Sequence, residues 1–485
     1  MTTTTLQSLA EAIGANAPGL DIGVSGIAYR SDRVGDGDVF FCIPGFAHDG
    51  HDFAADAVAR GAAALVVERL VDVAGDVPQV RVPDTRRALA LGSAHLHGDP
   101  SGRMDVVGVT GTNGKTTTTY LVDSILRASG RVTGVIGTVE TRIGGRRLAA
   151  ARTTPESADL QALLSEMAEE GVSAVAMEVS SHAIDLCRVD GVHFAVAAFT
   201  NLTQDHLDYH QTIEEYWSVK KRLFTDMPVR YRVVNIDDPL GAGLAAELDE
   251  VLTVSIGGLE ADVLADDVTL SAEGVRFRLV TPSGVADISL PLTGDYNVSN
   301  AAVAAGCAHV LGVDIETIAR GLGDAHQVPG RLERIEEGQP FAVYVDYAHT
   351  PDSLAKAIAA VREVTTGRVL VVFGCGGDRD PEKRPMMGAA VSEGADHAII
   401  TSDNPRSEDP VGIVLQIEDG MRGGSASYEV ELDRRRAISH ALTQAVCGDS
   451  VLIAGKGHED YQILADRTIH FDDREVAREE LGLPC

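Results

Sequence analysis

The chain has 485 residues, 44% hydrophobic, 23% charged and 5% aromatic, with a formal net charge of -31 at pH 7. That length exceeds one ordinary hydrophobic core and predicts two to four domains, and the composition excludes a disordered chain. The acidity excludes nucleic acid as the main partner, since no basic stripe exists to neutralise phosphates, yet it admits a phosphorylated small molecule held by backbone N–H groups, a few cations and Mg2+.

In chain order, MTTTTLQSLAEA lacks the basic start and apolar stretch of a signal peptide. DVFFCI (38–43) and AAALVV (62–67) read as buried strands, with one helix over 49–61 between them and a second over 84–97. His97-Gly98-Asp99-Pro100 is loop chemistry and marks a boundary, giving a first domain at 1–98. A second domain, 99–329, opens on the strand MDVVGVT, a glycine-rich turn and a helix from Lys115 to Ala128. Strands follow at 172–179, 194–200 and 230–236, then a β-rich passage over 269–292 and a helix starting near Asn297. The third domain, 330–485, repeats the rhythm through FAVYVDY, RVLVVFG, ADHAIIT and DSVLIAG. Strands alternating with helices predict an α/β class with mainly parallel sheets, whose ligands gather at the C-terminal strand ends. No apolar run approaches the roughly 20 residues that span a bilayer. The six cysteines lie singly, which suggests neither a zinc site nor a disulfide framework. The expected setting is the cytoplasm.

The strongest local signal is Gly111-Thr112-Asn113-Gly114-Lys115-Thr116-Thr117, between a strand and a helix. Glycines there let backbone N–H groups wrap a polyphosphate at the helix N-terminus. Lys115 can neutralise phosphate charge and Thr116 can ligate Mg2+. Valine at 109 makes this G-x-x-G-K-T, shorter than the usual G-x-x-x-x-G-K-[ST]. ATP or GTP binding follows.

Glu178 ends an apolar strand, where a carboxylate can hold a nucleotide-bound Mg2+; taken alone, a strand-end glutamate is more often solvated or paired. Asp205 and His206, in NLTQDHLDYH, suit either a second metal and phosphate or merely a capped polar loop. Lys220 lies on an amphipathic helix, where a snorkelling surface lysine is the ordinary interpretation.

GTNGKTT, MEVSSH, NLTQDHLDYH, the lysine of WSVKKRLF, YNVSN, PGRLE and VDYAHTPDSL occur here in one order. Together they resemble the Mur ligase family, which also contains folylpolyglutamate synthetases, across all three inferred domains. The resemblance implies a central P-loop mononucleotide-binding parallel sheet, flanked by an N-terminal UDP-binding α/β domain and a C-terminal Rossmann-like domain. It implies that Lys115 and its loop hold ATP, that Thr116 and Glu178 hold Mg2+, and that His206 serves a second Mg2+. Lys220 resembles the family's carbamylated lysine, a carbamate offering that metal oxygen rather than ammonium. Asn297, Asn300, Asp346 and His349 resemble nucleotide contacts, and Arg331 resembles an arginine that swings onto the phosphates.

YRSDRVGDGDVFFCIPGFAHDGHDF resembles a UDP-binding segment, in which Ser31 and His48 resemble contacts to the UDP-muramyl substrate. The family usually shows Asp-Ser-Arg where this chain has Arg30-Ser31-Asp32. Thr153, Thr154, Ser180 and Arg188 resemble residues that hold a muramyl dipeptide. Asp403-Asn404-Pro405-Arg406 matches the signature of the family's diaminopimelate-adding branch, and Arg379, Gly455 and Glu459 complete the resembling pocket. Arg406 can bind a carboxylate bidentately while Asp403 and Asn404 receive an ammonium.

The expected activity is therefore an ATP-dependent ligation of meso-diaminopimelate to UDP-N-acetylmuramoyl-L-alanyl-D-glutamate, through an acyl phosphate. Its expected partners are those two substrates and ATP, with Mg2+ as cofactor, no nucleic acid, no membrane and a monomeric state. A lysine-adding ligase is disfavoured by Asp403–Arg406, and a folylpolyglutamate synthetase by the UDP-binding-like first domain. A non-catalytic nucleotide-binding protein is disfavoured by the retention of Lys115, Glu178, His206 and Lys220.

Overall fold

Residues 4–16, 19–150, 152–205 and 207–482 are described in this computed structural model of the chain. The chain forms two compact units, one from 1–110, 130–199 and 214–233, the other from 111–129, 200–213 and 234–485. His206 lies outside the described residues. Among those described, no helix is long and apolar enough to cross a membrane.

In the first unit, Gly26–Ala28, Asp38–Phe41, Ala64–Val67 and Gln79–Arg81 pair in that order, all parallel. Their near-continuous apolar runs reflect burial on both faces. Val39, Phe41 and Val66 join Leu6, Leu9 and Leu89, while Phe40, Leu65 and Val67 face Ala54 and Ala57. The single helix predicted over 49–61 is instead a 3-10 turn, Gly50–Phe53, leading into the α-helix Ala54–Ala59. The reason is local. The Asp49 carboxylate accepts from the His51 backbone N–H at 2.9 Å and pairs with His51 Nδ1 at 2.6 Å, which winds the chain tightly around a buried imidazole.

The same unit carries a second parallel core. Asp105–Thr110 lies between Ala174–Glu178 and Phe194–Phe199, and Thr133–Ile136 pairs with the outer side of Ala174–Glu178. Glu140–Ile143 and Arg146–Ala149 extend it antiparallel. Chain order is broken around Asp105–Thr110, and open α/β sheets place ligands beyond the strand ends at such a point.

In the second unit, Val251–Ser255 pairs parallel with Val263–Ser271, which continues antiparallel through Gly274–Thr281 and Gly284–Leu290, the β-rich passage. A six-stranded sheet follows in the order Glu333–Arg334, Ala342–Asp346, Ser450–Ala454, Val369–Phe373, His397–Ile400 and Ser427–Val430. The first pairing is antiparallel and the other four are parallel. Alternation along its strands fills two cores: Tyr344, Val371, Phe373 and Leu452 face one side, Val343, Val345, Leu370 and Val372 the other. The α/β class with parallel sheets is thus what the chain adopts. Four of its parallel strands end at Asp346, Phe373, Ile400 and Ala454. The turns that follow them carry His349, Arg379, Asp403 and Glu459.

Candidate active site

The loop Gly111–Gly114 and the helix Lys115–Ala128 belong to the second unit. Gly111 has φ +150°, and a Cβ there would stand 2.0 Å from Thr200 Oγ1; at Gly114, φ is +84° and a Cβ would stand 2.2 Å from Asn300 Oδ1. Only glycine fits both places. Residues 200–203 fasten the loop from outside. The Thr112 and Asn113 N–H groups donate to Asn201 O and Oδ1, Thr200 Oγ1 donates to Asn113 O at 2.6 Å, and Thr112 Oγ1 donates to Thr203 O. Lys115 Nζ donates to Gly111 O at 2.9 Å and Thr112 O at 2.8 Å, so the ammonium is held over the loop. No side chain caps this helix at Gly114, and a helix N-terminus favours an anion. Thr116 and Thr117 are buried.

Five residues predicted for the nucleotide site stand in the same unit. Arg331 Nη2 donates to Thr116 Oγ1 at 3.2 Å, and its guanidinium lies 4.6 Å from the centre of the Tyr347 ring. Asp346 accepts N–H groups of Leu332 and Ala348 at 2.7 and 2.8 Å, while burial pushes its carboxyl above the usual range. His349 Nδ1 lies 2.7 Å from Tyr347 O, and burial lowers its imidazole, which favours the neutral ring. Asn297 and Asn300 are buried in the helix Tyr296–Val310. Asn300 Nδ2 donates to Asn297 Oδ1, and Thr118 Oγ1 donates to Asn300 Oδ1 at 3.4 Å, so the structure joins these asparagines to the phosphate-loop helix. Sequence reasoning missed Asp352. Its Oδ2 accepts from Asn113 Nδ2 and Thr203 Oγ1, both at 3.1 Å.

In the first unit, four substrate candidates gather at the end of Ala174–Glu178. Thr154 Oγ1 donates to Glu178 O at 2.8 Å and accepts from Ser180 N at 3.2 Å. Arg188 Nη1 donates to Thr154 O, and its Nη2 pairs with Glu156 at 2.8 Å. Thr153 Oγ1 meets Thr138 Oγ1 at 3.0 Å, and Thr138 donates from N and Oγ1 to the two oxygens of Glu178 at 2.7 and 3.0 Å. A glutamate read by itself as solvated or paired is instead buried and hydrogen-bonded. Ser31 starts the 3-10 turn Ser31–Arg33, and His48 meets Phe53 edge-on at 6.1 Å.

Lys220 corrects the surface-lysine reading. It is 1% exposed on the helix Ile213–Thr225, its ammonium 4.6 Å from the centre of the Tyr216 ring. Among the described residues, no group of three or more His, Cys, Asp or Glu stands ready to hold a metal. The Thr116 hydroxyl in one unit and the Glu178 carboxylate in the other each offer oxygen, the donor type that Mg2+ takes.

The acceptor candidates form a third group, in the second unit. Asp403, Asn404 and Pro405 are buried and Arg406 half-buried, while Arg379 is exposed. Arg406 adopts φ +52° and its Nη1 donates to Gly377 O at 2.6 Å. Gly455 has φ +115°, and a Cβ there would stand 2.7 Å from Asp403 Oδ2. Asn404 Nδ2 donates to Glu459 Oε2 at 3.0 Å, and burial raises the Glu459 carboxyl. Sequence reasoning missed two supports here. Arg384, fully buried, donates to both oxygens of Glu408 at 2.9 Å and to Gly376 O, tying the 376–380 turn to the 403–408 turn. Lys456, also fully buried, bonds Glu459 and Asn404. Its flanking glycines, directly after an apolar strand, were the one local signal for it.

Comparison with known proteins gives three matches along the chain: the Mur ligase family catalytic domain over 23–97, the Mur ligase middle domain over 109–308 and the Mur ligase glutamate ligase domain over 330–457. The chain is 50% identical over 456 residues to a Geobacillus kaustophilus protein named UDP-N-acetylmuramoyl-L-alanyl-D-glutamate–2,6-diaminopimelate ligase, covering 92% of this chain and 93% of that one. It is 48% identical over the same length and coverage to the protein so named from Geobacillus thermodenitrificans. A solved structure of a protein with that name superposes with a TM-score of 0.72 at 32% identity, covering 99% of each chain.

Proposed function

This chain belongs to the Mur ligase family, and on that premise we propose that it joins 2,6-diaminopimelate to UDP-N-acetylmuramoyl-L-alanyl-D-glutamate with ATP, making a peptidoglycan precursor. Relatives sharing half the sequence over nine-tenths of both chains carry that activity in their names. The observation that carries the acceptor choice is the Asp403–Arg406 turn, in which the Asn404 amide bonds Glu459 and the Arg406 guanidinium bonds Gly377 O. Meso-diaminopimelate differs from lysine by one carboxylate, and an arginine reads a carboxylate bidentately. A pocket built on such groups penalises a substrate that leaves them unpaired.

The chemistry needs no nucleophilic side chain. The γ-phosphoryl group of ATP passes to the γ-carboxylate of the D-glutamate residue, releasing ADP. The acceptor amine then attacks that carbonyl carbon and sheds a proton, and the tetrahedral intermediate expels phosphate to leave a peptide bond. Lys115 moves from its loop carbonyls onto the phosphates, and Arg331, braced on Tyr347, adds charge where the transferring group is negative. Thr153, Thr154, Ser180 and Arg188 position the dipeptide, and Ser31 and His48 the uridine nucleotide. Asp346 and His349 line the nucleotide side. Mg2+ held by Thr116, Glu178 and, at a second place, His206 with a carbamylated Lys220 would neutralise phosphate charge. A water-soluble, nucleotide-linked substrate fits a cytoplasmic enzyme, and one chain carries every named residue, which fits a monomer.

Incubation with ATP, Mg2+, the UDP-linked muramyl dipeptide and diaminopimelate tests the proposal by mass spectrometry of the product. The nucleotide must gain one diaminopimelate residue, and only when all three substrates are present. An unchanged UDP substrate contradicts it.

A further inference from the structure

The acceptor side holds a buried cation with no part in the chemistry above. Lys456 sits between Gly455 and Gly457, whose φ angles are +115° and +55°. A Cβ at Gly457 would stand 2.6 Å from Tyr347 Cβ, so the lysine rides on a turn that only glycines allow. Its three ammonium donors meet three acceptors: Tyr461 O at 2.5 Å, Glu459 Oε2 at 3.3 Å and Asn404 Oδ1 at 3.5 Å. Asn404 Oδ1 also receives the Ile463 N–H at 2.9 Å, so donors on its oxygen turn its amide nitrogen to Glu459 Oε2 at 3.0 Å. Lysine, amide and carboxylate close a triangle.

We propose that Lys456 is a positioning residue for acceptor recognition: it holds Glu459 as a carboxylate and fixes the Asn404 amide, so that Glu459 receives an ammonium group of the amino-acid acceptor. The inference rests on the acceptor assignment above and extends it to a residue outside the signature turn. The bonds from Lys456 and Asn404 both fall on Oε2, which leaves Oε1 for the incoming cation. Asp403 is a second carboxylate beside the same turn, and two neighbouring carboxylates resist joint ionisation unless a cation stands with them. The charged and titratable groups facing Glu459 are Lys456, Asp403, Arg434, Tyr347 and Tyr461. Burial raises the Glu459 carboxyl, Lys456 is the foremost influence lowering it, and Asp403 raises it again. Without the lysine, Glu459 takes up a proton at higher pH, and a neutral carboxyl no longer attracts an ammonium.

Phosphate release by the full chain, with each substrate varied in turn, tests this on Lys456→Met. The KM for diaminopimelate rises about tenfold or more while those for ATP and the UDP substrate stay within about twofold. The acid limb of kcat/KM for diaminopimelate moves up by about one pH unit. In a Glu459→Gln background, Lys456→Met adds little, since the two act through one contact. If Lys456→Met loses the thermal shift induced by ATP, Lys456→Gln, which keeps two donors without the charge, decides by the same readouts. An unmoved acid limb, or an equal rise in all three KM values, overturns the inference. Wild-type chain inactive with diaminopimelate overturns the proposed function as well, whereas an active wild type matched by its variant overturns this inference alone.

Discussion

Arg331 reaches across 215 positions of sequence to Thr116, its Nη2 3.2 Å from the threonine hydroxyl, while the ring of Tyr347 supports its guanidinium from below. The same ring touches His349 and His458 at 4.5 and 5.0 Å between centroids. One aromatic side chain thus braces an arginine at the start of the phosphate-binding helix. Arg331→Ala lowers kcat by roughly 10²-fold, the usual loss for one preorganised charged donor. Tyr347→Phe keeps the ring and most of the rate, whereas Tyr347→Ala loses several-fold. Steady-state phosphate release distinguishes the three, and a wild-type kcat in Arg331→Ala removes the arginine from the mechanism.

Lys115 bonds the carbonyls of its own loop. A polyphosphate replaces those partners, so Lys115→Ala loses at least about 10²-fold in turnover. Lys115→Arg fails too, because a planar guanidinium does not fit where a compact ammonium is cradled. Wild-type rates in either variant contradict the phosphate-loop assignment.

Gly114 combines φ +84° with Asn300 Oδ1 2.2 Å from the place a Cβ would take. Gly114→Ala pays a left-handed backbone cost of about 1–2 kcal/mol as well as the collision. The KM for ATP rises, and Asn300→Ala in the same chain recovers part of the loss by removing the collision but not the backbone cost. Titration of ATP affinity in the single and double variants measures this; additive losses contradict it.

Lys220 is buried against Tyr216. If its amine carries CO2 as a carbamate, Lys220→Ala is inactive and short-chain carboxylic acids restore part of the rate by placing a free carboxylate in the space left. Phosphate release with and without added acetate or formate checks it. Full activity in the variant, or no rescue by any such acid, counts against the carbamate.

Arg434 and Asp473, both fully buried, form a two-point ion pair with each N–O contact at 2.7 Å, and Arg434 also donates to Ala454 O just before Gly455. Asp473→Asn leaves a buried cation without its counterion, at a cost of about 3–5 kcal/mol. Thermal unfolding shows an earlier transition at neutral pH, and an unchanged transition contradicts the assigned role.

The parts legible in sequence are those whose causes are local. Gly111–Thr117 and the helix to Ala128 follow from glycine freedom and helix-start chemistry, and apolar runs such as Val369–Phe373 need only two covered faces. The strands Glu140–Ile143 and Arg146–Ala149, the last two of their sheet, escaped notice because ETRI and RRLA lack an apolar run. Contacts between distant positions left no local pattern: Asp352 takes the Asn113 amide over 239 positions, and Lys456 meets Asn404 over 52. Lys220 misled for the same reason, since polar neighbours in sequence do not reveal which elements cover a helix face.

The most direct test of the acceptor assignment turns on Arg406, of whose five N–H donors one is taken by Gly377 O. Phosphate release with ATP, Mg2+ and UDP-N-acetylmuramoyl-L-alanyl-D-glutamate is compared with meso-diaminopimelate and with L-lysine as acceptor. Phosphate is released with diaminopimelate and little with lysine, and Arg406→Ala loses that discrimination. Equal or preferred use of lysine by the wild-type chain contradicts it.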